Sequence, residues 1–407
     1  MQFNWQRVVM ILLAASVLSF VQMFEVALMQ ETNPLLAFEI VVFGVIAFTF
    51  LWLGLQQQLP KWANTYVLFA ALLSFFMYVI TITLAVPYGA DAPATVHYAA
   101  RLLLEGKNPY TNFNIEECLR SFNLSPDVFG TKLVGGGLEQ HFNYPAGSFL
   151  FILPFIAAGL QDTRIIYIAA MVAMVLIIHY YAEPSLKNLV ILAFLSNEAA
   201  TRFAIGGMPE PLWALSLLLG WLWRDHSWRS PIALGIAATV KQLAWFFLPY
   251  YAIMVIKEYG LREAAKRIAI VCAIFAVINL PFFIQSPVVW SQSILGPMTD
   301  PMVPMGEGII ALGVSGVMPL WPKMAYTALE MIVLVIGLIW YYRRYFDHKE
   351  AAMVLATLPL WFAWRSLLSY FYLGGILMMG VIIYERARKT KEQAAEPERI
   401  SIAVALD

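Results

Sequence analysis

The chain is poor in charged residues and almost lacks cysteine. Of its 407 residues, 13% are charged and two are cysteines, whereas 61% are hydrophobic. Soluble domains carry about 25% charged residues, so this deficit excludes a soluble globular enzyme and a disordered tail. The two cysteines, Cys118 and Cys272, indicate no disulfide framework.

The sequence also has no excess of charge of either sign. Twenty-six basic residues balance 26 acidic ones, so no net positive field attracts a polyanion, and we expect no nucleic-acid partner. The first apolar run is long, has no small-residue cleavage site and is followed by further runs, which argues against a cleaved signal peptide.

Long apolar runs fill most of the chain. A helix needs about 20 apolar residues to cross a bilayer core, and residues 8–29, 35–55 and 66–86 each meet that length. Ten further apolar segments lie between residues 146 and 384. The sequence therefore predicts an all-α polytopic membrane protein, with roughly 11–13 membrane segments in a single integral-membrane domain over residues 1–407.

Basic loops predict the orientation, since Lys and Arg concentrate on the cytoplasmic side. If all of them lie inside, both termini are cytoplasmic and residues 385–407 form a cytoplasmic tail. Residues 87–145 are then a large extracytoplasmic loop, and residues 284–308 form a second one. We expect a multi-pass protein of the cell membrane with its active site outside.

Residues 231–255 break the simple alternation, because basic loops flank them on both sides. A helical hairpin that enters and leaves on the cytoplasmic side resolves the conflict. Lys241 and Gln242 mark its bend, since polar residues at membrane depth are tolerated where they line a protein cavity. A structural partner and a phosphate-binding role are equally open for Lys241.

The loop after the third apolar run contains the most informative pattern. Asp91 follows a membrane exit and precedes Pro93, which is typical of a helix start, and Gly106 suits the helix end. Residues 94–104 are amphipathic, with His97 on the polar side, and predict an interfacial helix on the outer membrane surface. Asp91 is then either a helix cap or a general base, and His97 either a solvated side chain or a head-group ligand.

Several short motifs, in this order, resemble the GT-C superfamily of integral-membrane glycosyltransferases. The resemblance is to its polyprenyl-phosphate-dependent mannosyltransferases, which include the phosphatidylinositol-mannoside mannosyltransferases. The matching pieces are Asp91 before an Ala-rich helix, LLLEGKNPY at 102–110, Asn143-Tyr144-Pro145, Gly207-Met208-Pro209-Glu210, the segment 234–242 ending in Lys241-Gln242, and the segment from Trp364 and Arg365 to Tyr370.

The resemblance implies a hexosyltransferase. Such an enzyme moves a sugar, here mannose by resemblance, from a polyprenyl-phosphate donor to a lipid or glycan hydroxyl on the extracytoplasmic face, with inversion. It implies Asp91 as the general base, and we expect Arg365 to bind the donor phosphate, because guanidinium binds phosphate bidentately. The further candidates for binding phosphate or substrate are His141, Tyr144, Lys241, Glu210, His97 and Tyr370. We expect no cofactor and no obligatory metal; the partners are the donor, the acceptor and membrane lipids.

Two other functional classes are compatible with the same residues. A secondary transporter or lipid flippase would suit a helix break at Lys241, although no matching break appears in another half of the chain. A non-catalytic envelope-assembly protein would have a similar composition. In the Pro-rich segment 285–308, Asp300 and Glu307 could touch an acceptor if the segment acts as a lid; otherwise it is a stiff, ordered loop.

Overall fold

A computed structural model describes residues 4–28 and 33–406, and almost all of its regular structure is helical. Helices make up 72% of it and strands 2%, which confirms the all-α prediction. The last residue of the predicted run 8–29 and the last residue of the predicted tail 385–407 lie outside the described residues. The helices up to residue 206 are α1 (Trp5–Leu28), α2 (Pro34–Leu55), α3 (Ala63–Ala85), α4 (Asp91–Leu104), α5 (Ile115–Ser121), α6 (Pro126–Phe129), α7 (Gly147–Leu150), α8 (Leu153–Ala157), α9 (Arg164–Tyr181), α10 (Lys187–Leu195) and α11 (Glu198–Gly206).

The second half continues with helices and two very short strands. The remaining helices are α12 (Glu210–Leu222), α13 (Arg229–Val240), α14 (Leu248–Tyr259), α15 (Leu261–Gln285), α16 (Pro287–Thr299), α17 (Ile310–Val314), α18 (Lys323–Arg344), α19 (Ala352–Leu355) and α20 (Gly374–Leu406). Short 3-10 helices cover Gln242–Phe247, Lys349–Ala351, Leu358–Phe362 and Leu368–Tyr370. Strands β1 (Met305–Gly306) and β2 (Arg365–Ser366) pair in parallel.

Seven helices within the described residues are long and apolar enough to cross a membrane. They are α1, α2, α3, α9, α15, α18 and the helix over Leu368–Thr390. The number rises to eight if α10 and α11, which meet at a 58° bend, form one broken span. The predicted 11–13 segments exceed this number because apolar residues 147–157, 310–314 and 352–355 form only short helices.

Helices α15 and α18 expose large apolar side chains. Val277 on α15 and Ile336 on α18 are 71% and 60% exposed. Continuous exposed apolar surface of this kind is what a bilayer covers. The structure is therefore that of an all-α polytopic membrane protein, as the sequence predicts at this level.

The described chain divides into two compact units. The first comprises Met1–Ala85, Val175–Arg202 and Ile382–Asp407. Its helix α2 begins where Asn33 accepts a hydrogen bond from the Leu35 amide and Pro34 occupies the first turn. An aromatic cluster lines its interior, with the rings of Phe20 and Tyr78 stacked 4.5 Å apart.

The second unit comprises Val86–Met174 and Phe203–Val381, and it contains every candidate site residue. Helix α4 lies between two apolar clusters of this unit. One side packs Val96, Ala99 and Ala100 against aromatic rings of residues 142, 149 and 282. The other side packs Tyr98 and Leu102 against residues of α5.

The burial of α4 corrects the prediction of an interfacial helix with an exposed polar face. His97, predicted on that face, is 0% exposed. Phe122, just beyond α5, covers it, with its ring centroid 4.8 Å from the imidazole and 4.7 Å from the Arg101 guanidinium carbon. A helical-wheel pattern shows which residues share a face, but not whether a later segment covers that face.

Three extended segments of the second unit lie side by side. The Val134 amide donates to the Pro301 carbonyl at 2.8 Å, and the Val303 amide donates to the Lys132 carbonyl at 2.9 Å. Met305 pairs with Arg365 in the parallel ladder. We call residues 131–134, 301–306 and 364–366 the three-segment layer. The predicted loop 284–308 is thus largely regular, because α16 fills its first half and β1 lies in its second.

The chain breaks at Lys241, as the sequence predicts. Helix α13 ends at Val240, and Lys241 adopts an extended conformation with φ −154° and ψ 143°. A 3-10 helix follows over Gln242–Phe247 before α14 begins. The break leaves polar groups of Lys241 and Gln242 available to contact other elements.

Basic residues of the second unit gather at one end of it. Glu258 lies 3.3 Å from Arg224 and 2.6 Å from Lys349, and so joins the ends of α12 and α14 to the segment after α18. Helix α15 starts nearby, where Arg267 donates to the Arg224 carbonyl. We call this group the basic end.

Helices α15 and α18 each run from the basic end to the polar loops. Helix α15 ends at Gln285, which accepts a 3.0 Å hydrogen bond from Asn108. Its 25 residues correspond to about 37 Å at 1.5 Å per residue. Helix α18 starts at Lys323, which donates to the Asp300 carbonyl, and ends beside the basic end, where Lys257 lies 3.6 Å from the Tyr342 ring. The two ends are therefore about one membrane thickness apart.

Candidate functional site

Asp91 is the first residue of α4, and its carboxylate is not the helix cap. Ala90 occupies the cap position and no side chain caps the helix. The Asp91 carboxylate instead accepts a 3.0 Å hydrogen bond from the hydroxyl of Thr131, in the three-segment layer. Of the two interpretations of Asp91 made from the sequence, helix capping is therefore wrong.

The Asp91 carboxyl is partly accessible, although its surroundings desolvate it. Its side chain is only half-buried, yet burial raises its pKa above the usual range. The Thr131 hydrogen bond, the charge of Arg365, the Ala92 amide and the charge of Lys241 act in the opposite direction and lower that pKa. A carboxyl that is both reachable and desolvated suits proton transfer.

The turn before Asp91 is fixed by main-chain contacts. The Gly89 amide donates to the Gly206 carbonyl at 3.0 Å, and a Cβ at Gly89 would lie 2.9 Å from the Gly206 Cα. Arg164 donates to the carbonyls of Val86 and Ile205 at 3.0 and 3.2 Å. These bonds fix the start of α4, and therefore the position of Asp91.

The motif around Tyr144 is held from three sides. The Tyr110 hydroxyl donates to the Tyr144 carbonyl at 2.9 Å. Gln242, freed by the helix break, donates to the Asn143 carbonyl at 2.9 Å, and Asn279 of α15 accepts from the Ala146 amide at 2.9 Å. The segment thus has a fixed backbone from which the Tyr144 ring projects.

Lys241 and Glu210 form a buried ion pair. Glu210, at the start of α12, is 0% exposed, and Lys241 donates directly to it. The Lys241 ammonium also lies 5.4 Å from the Tyr144 ring centroid and 5.9 Å from that of Tyr370. Four of the predicted site residues are therefore brought together here.

Arg365 lies on β2, next to this group. Its strand is held by pairing with Met305 and by Trp364, whose indole donates to the Met302 carbonyl at 2.7 Å. Arg365 lies close enough to lower the pKa of Asp91 and to oppose the rise in the pKa of Tyr144, which burial raises. Within residues 4–28 and 33–406 its guanidinium forms no salt bridge, so it can bind an external anion.

The two candidate histidines lie elsewhere. His97 is buried and bonded to the Tyr88 hydroxyl at 2.9 Å, and burial together with the charge of Arg101 lowers its pKa to about 4. It is a neutral interior residue, so neither interpretation made from the sequence, a solvated side chain or a head-group ligand, describes it. His141 lies 2.8 Å from Glu139 and 3.6 Å from Asp300, and so belongs to a neighbouring cluster.

Sequence reasoning did not single out Thr131 and Glu139 as candidate site residues. Thr131 lies in a glycine-rich hairpin whose composition indicates only a loop, and its contact with Asp91 joins residues 40 positions apart. Glu139 follows the same hairpin and is 5% exposed. The spacing Glu-x-His at 139–141 is the one local signal that could have directed attention to the pair.

The assembled groups allow a specific kind of chemistry. A carboxylate with a raised pKa can accept a proton, and two nearby cations, Arg365 and Lys241, can stabilise an anion that forms beside it. The rings of Tyr144 and Tyr370 offer flat apolar faces of the type that sugars pack against. These side chains belong to segments spread between residues 91 and 370, so the site is created by the fold and not by one local stretch of sequence.

Compared with models of protein families, with curated proteins and with solved structures, the chain matches none.

Proposed function

We propose that this protein is a membrane glycosyltransferase of the GT-C type that uses a polyprenyl-phosphate sugar donor. The observation that carries the proposal is the grouping of Asp91 with Arg365 and the Lys241–Glu210 pair. A carboxylate that can act as a base and two cations beside it are what this transfer requires. The motif resemblance adds the substrate class, with mannose as the favoured sugar.

The proposed reaction is a direct displacement. The acceptor hydroxyl oxygen forms a bond to the anomeric carbon of the sugar as the bond from that carbon to the phosphate oxygen breaks. The hydroxyl proton passes to the Asp91 carboxylate, and the electron pair leaves with polyprenyl phosphate. Attack from the side opposite the leaving group inverts the anomeric configuration, and one catalytic carboxylate suffices, where retaining hydrolases need two.

Asp91 serves as the general base in this scheme. An alcohol is a weak nucleophile, so removal of its proton as it attacks lowers the barrier. The raised pKa of Asp91 makes its carboxylate a stronger base than an ordinary aspartate, while Thr131 and Arg365 limit that rise in pKa. Thr131 is a positioning residue, because it orients the carboxylate oxygen that it contacts.

Arg365 serves the leaving phosphate. Negative charge develops on the phosphate oxygen as the glycosidic bond breaks, and a planar guanidinium can donate two parallel hydrogen bonds to it. Lys241 already has a carboxylate partner in Glu210. Glu210 offsets most of the Lys241 charge at a distance, so Arg365 is the direct ligand of the phosphate.

The arrangement of the second unit fits an extracytoplasmic site. Basic residues concentrate on the cytoplasmic side of membrane proteins, and the basic end at Arg224 and Lys349 lies opposite the polar loops along α15 and α18. If the basic end faces the cytoplasm, Asp91 and Arg365 face outward. A polyprenyl chain would then lie in the bilayer beside the apolar surfaces of these helices.

Transfer by purified, reconstituted protein tests the proposal. Full-length protein in liposomes is supplied with polyprenyl-phosphate mannose carrying a radiolabelled sugar and with a glycolipid extract, and the labelled product is separated and identified by mass. We expect Asp91→Asn to reduce the rate of transfer by about 10²–10⁴-fold, which is the usual contribution of a general base. Asp127→Asn is the matched control, because Asp127 is an exposed residue in the first turn of α6.

Two results would contradict the proposal. If a folded Asp91→Asn protein transfers sugar at nearly the parental rate, Asp91 is not the general base. Uptake of a solute by the same liposomes, with no glycosylated product from any polyprenyl-phosphate sugar, would favour a transporter instead.

A further inference from the structure

Three side chains that could bind a metal converge beside the three-segment layer. Ligand atoms of Glu139, His141 and Asp300 all lie within 4.8 Å of one another. Glu139 and His141 follow the hairpin that holds Thr131, and Asp300 directly precedes residues 301–306. The cluster therefore joins two segments that are about 160 residues apart in the chain.

The Glu139 carboxylate is fixed in place. It is 5% exposed, and its Oε1 atom accepts from the His141 main-chain amide at 2.9 Å and lies 2.8 Å from His141 Nδ1. The Glu139 amide in turn donates to the Thr131 carbonyl at 2.8 Å. A ligand with so little freedom loses little entropy when it binds a cation.

Two oxygen atoms at the same place have no hydrogen bond. Within residues 4–28 and 33–406, Asp300 Oδ2 and Asn143 Oδ1 are buried without a partner. A Cβ placed on Gly296 would lie 2.5 Å from the first and 2.8 Å from the second, so both oxygens converge beside Gly296. Buried acceptors without a donor are costly, and a cation would satisfy both.

The neighbouring ammonium does not meet that need. Lys323 donates at 2.7 Å to the main-chain carbonyl of Asp300, not to its carboxylate. The Glu139 and Asp300 carboxylates thus keep oxygen atoms that the Lys323 ammonium does not contact. That arrangement favours a positive ligand.

We propose that Glu139, His141 and Asp300 bind a divalent metal ion, with the Asn143 amide oxygen beside it. One imidazole nitrogen and two carboxylates form a mixed donor set that suits Zn²⁺ or Mn²⁺, since nitrogen ligands are uncommon for Mg²⁺ and Ca²⁺. The site does not include Asp91 or Arg365, so it stands independently of the proposed transfer reaction.

The metal acts as a clamp in this arrangement. It ties residues 139–143 to residue 300, next to the hairpin that positions Asp91 through Thr131 and the segment that leads into β1 and pairs with Arg365. The two halves of the candidate site are thereby fixed to each other. A cation here stabilises the fold of the second unit whether or not sugar transfer takes place.

Metal titration of the purified chain tests this inference. Full-length protein in detergent is stripped with EDTA and desalted, and Zn²⁺, Mn²⁺ and Mg²⁺ are each titrated by calorimetry, with the bound metal counted by mass spectrometry. We expect one Zn²⁺ or Mn²⁺ per chain and a higher unfolding temperature with metal. Asp300→Asn should weaken binding by about 100-fold or more, because even residues that only support a metal ligand contribute about 10–100-fold.

Matched variants separate metal binding from folding. Glu116→Gln removes an exposed carboxylate that pairs with Arg120 on α5, and it should bind metal like the parent. In EDTA, Asp300→Asn and the parent should unfold at similar temperatures, and only the parent should gain stability when metal is added. His141→Gln should lose the preference for Zn²⁺ over Mg²⁺.

The inference is overturned by either of two results. One is no saturable binding of Zn²⁺ or Mn²⁺ to the folded parent. The other is equal binding by the parent and by a triple variant of Glu139, His141 and Asp300. Neither result depends on a glycosyl product, so failure here is distinguishable from failure of the proposed function.

Discussion

The Thr131 hydroxyl donates a 3.0 Å hydrogen bond to the Asp91 carboxylate across 40 residues of sequence. That bond is one of four influences that oppose the effect of burial on the Asp91 pKa. In the proposed mechanism, this bond therefore influences the pH range in which Asp91 acts as a base.

Thr131→Val should shift the pH dependence of sugar transfer. Loss of the donated hydrogen bond destabilises the carboxylate and raises the Asp91 pKa further. Since only the ionised form accepts a proton, the acid limb of the rate profile should move to higher pH, while the plateau at high pH stays near the parent value. Initial transfer rates across the pH range, for Thr131→Val and the parent, measure the shift.

Thr111→Val is the control for that experiment. Thr111 is an exposed threonine of the same loop region, and its hydroxyl bonds to the Asn108 carbonyl. A profile for Thr131→Val that coincides with those of the parent and Thr111→Val would remove Thr131 from its positioning role.

Asp91→Asn should make the protein more stable at neutral pH, even though it abolishes transfer. A carboxyl whose pKa is raised in the folded state contributes its full stability below its unfolded pKa, and that contribution is lost as pH rises through the folded pKa. The neutral amide avoids this loss. Thermal unfolding in detergent between about pH 4 and pH 8 should show the advantage of Asp91→Asn growing with pH; an advantage that shrinks with pH would mean that the burial argument is wrong.

Arg365→Ala should reduce kcat/KM for the polyprenyl-phosphate donor by about 10²-fold, the usual loss when one group that stabilises developing charge is removed. Arg365→Lys should recover part of that loss, because lysine keeps the charge but not the two parallel hydrogen bonds. Steady-state kinetics with varied donor measures both. Arg120→Ala, at an exposed arginine of α5, should behave like the parent, and an unchanged kcat/KM for Arg365→Ala would exclude a phosphate role.

Glu210→Gln should destabilise the second unit by about 3–5 kcal/mol, since it leaves the Lys241 charge buried without its partner. The double replacement Glu210→Gln with Lys241→Met should recover much of that stability. Denaturant unfolding of both proteins measures their free energies of unfolding. Glu116→Gln is the control, because it breaks an exposed pair worth less than about 1 kcal/mol. If the single and double variants unfold alike, the two residues are not coupled.

Local features of the chain were predictable from its sequence. Asn33 and Pro34 begin α2, and Gly106, with φ +75°, follows the end of α4. The break at Lys241 was predicted from a conflict between loop charges and span length. For the two helix ends the deciding signal lies within a few residues of the feature, and for the break it lies in the basic loops that flank residues 231–255.

The environment of each side chain was not predictable in the same way. His97 is buried because Phe122, 25 residues later, covers it, and no periodicity within α4 encodes that contact. The approach of Asp300 to His141 depends on hairpin and strand pairing between distant segments. Seven described helices are long enough to cross a membrane, fewer than the 11–13 predicted membrane segments, because apolar composition does not separate a full span from a shorter apolar helix.

Strand β1 imposes a strict limit on position 306. Gly306 has φ +130°, and a Cβ there would collide with the main chain of Ser366, so any other residue would force β1 and β2 apart. The neighbour of Ser366 on β2 is Arg365, and its displacement would carry the guanidinium away from Asp91. A glycine before an acidic residue, followed some 60 positions later by Arg-Ser, is thus a compact signature for finding distant chains that pair two such short strands in the same manner.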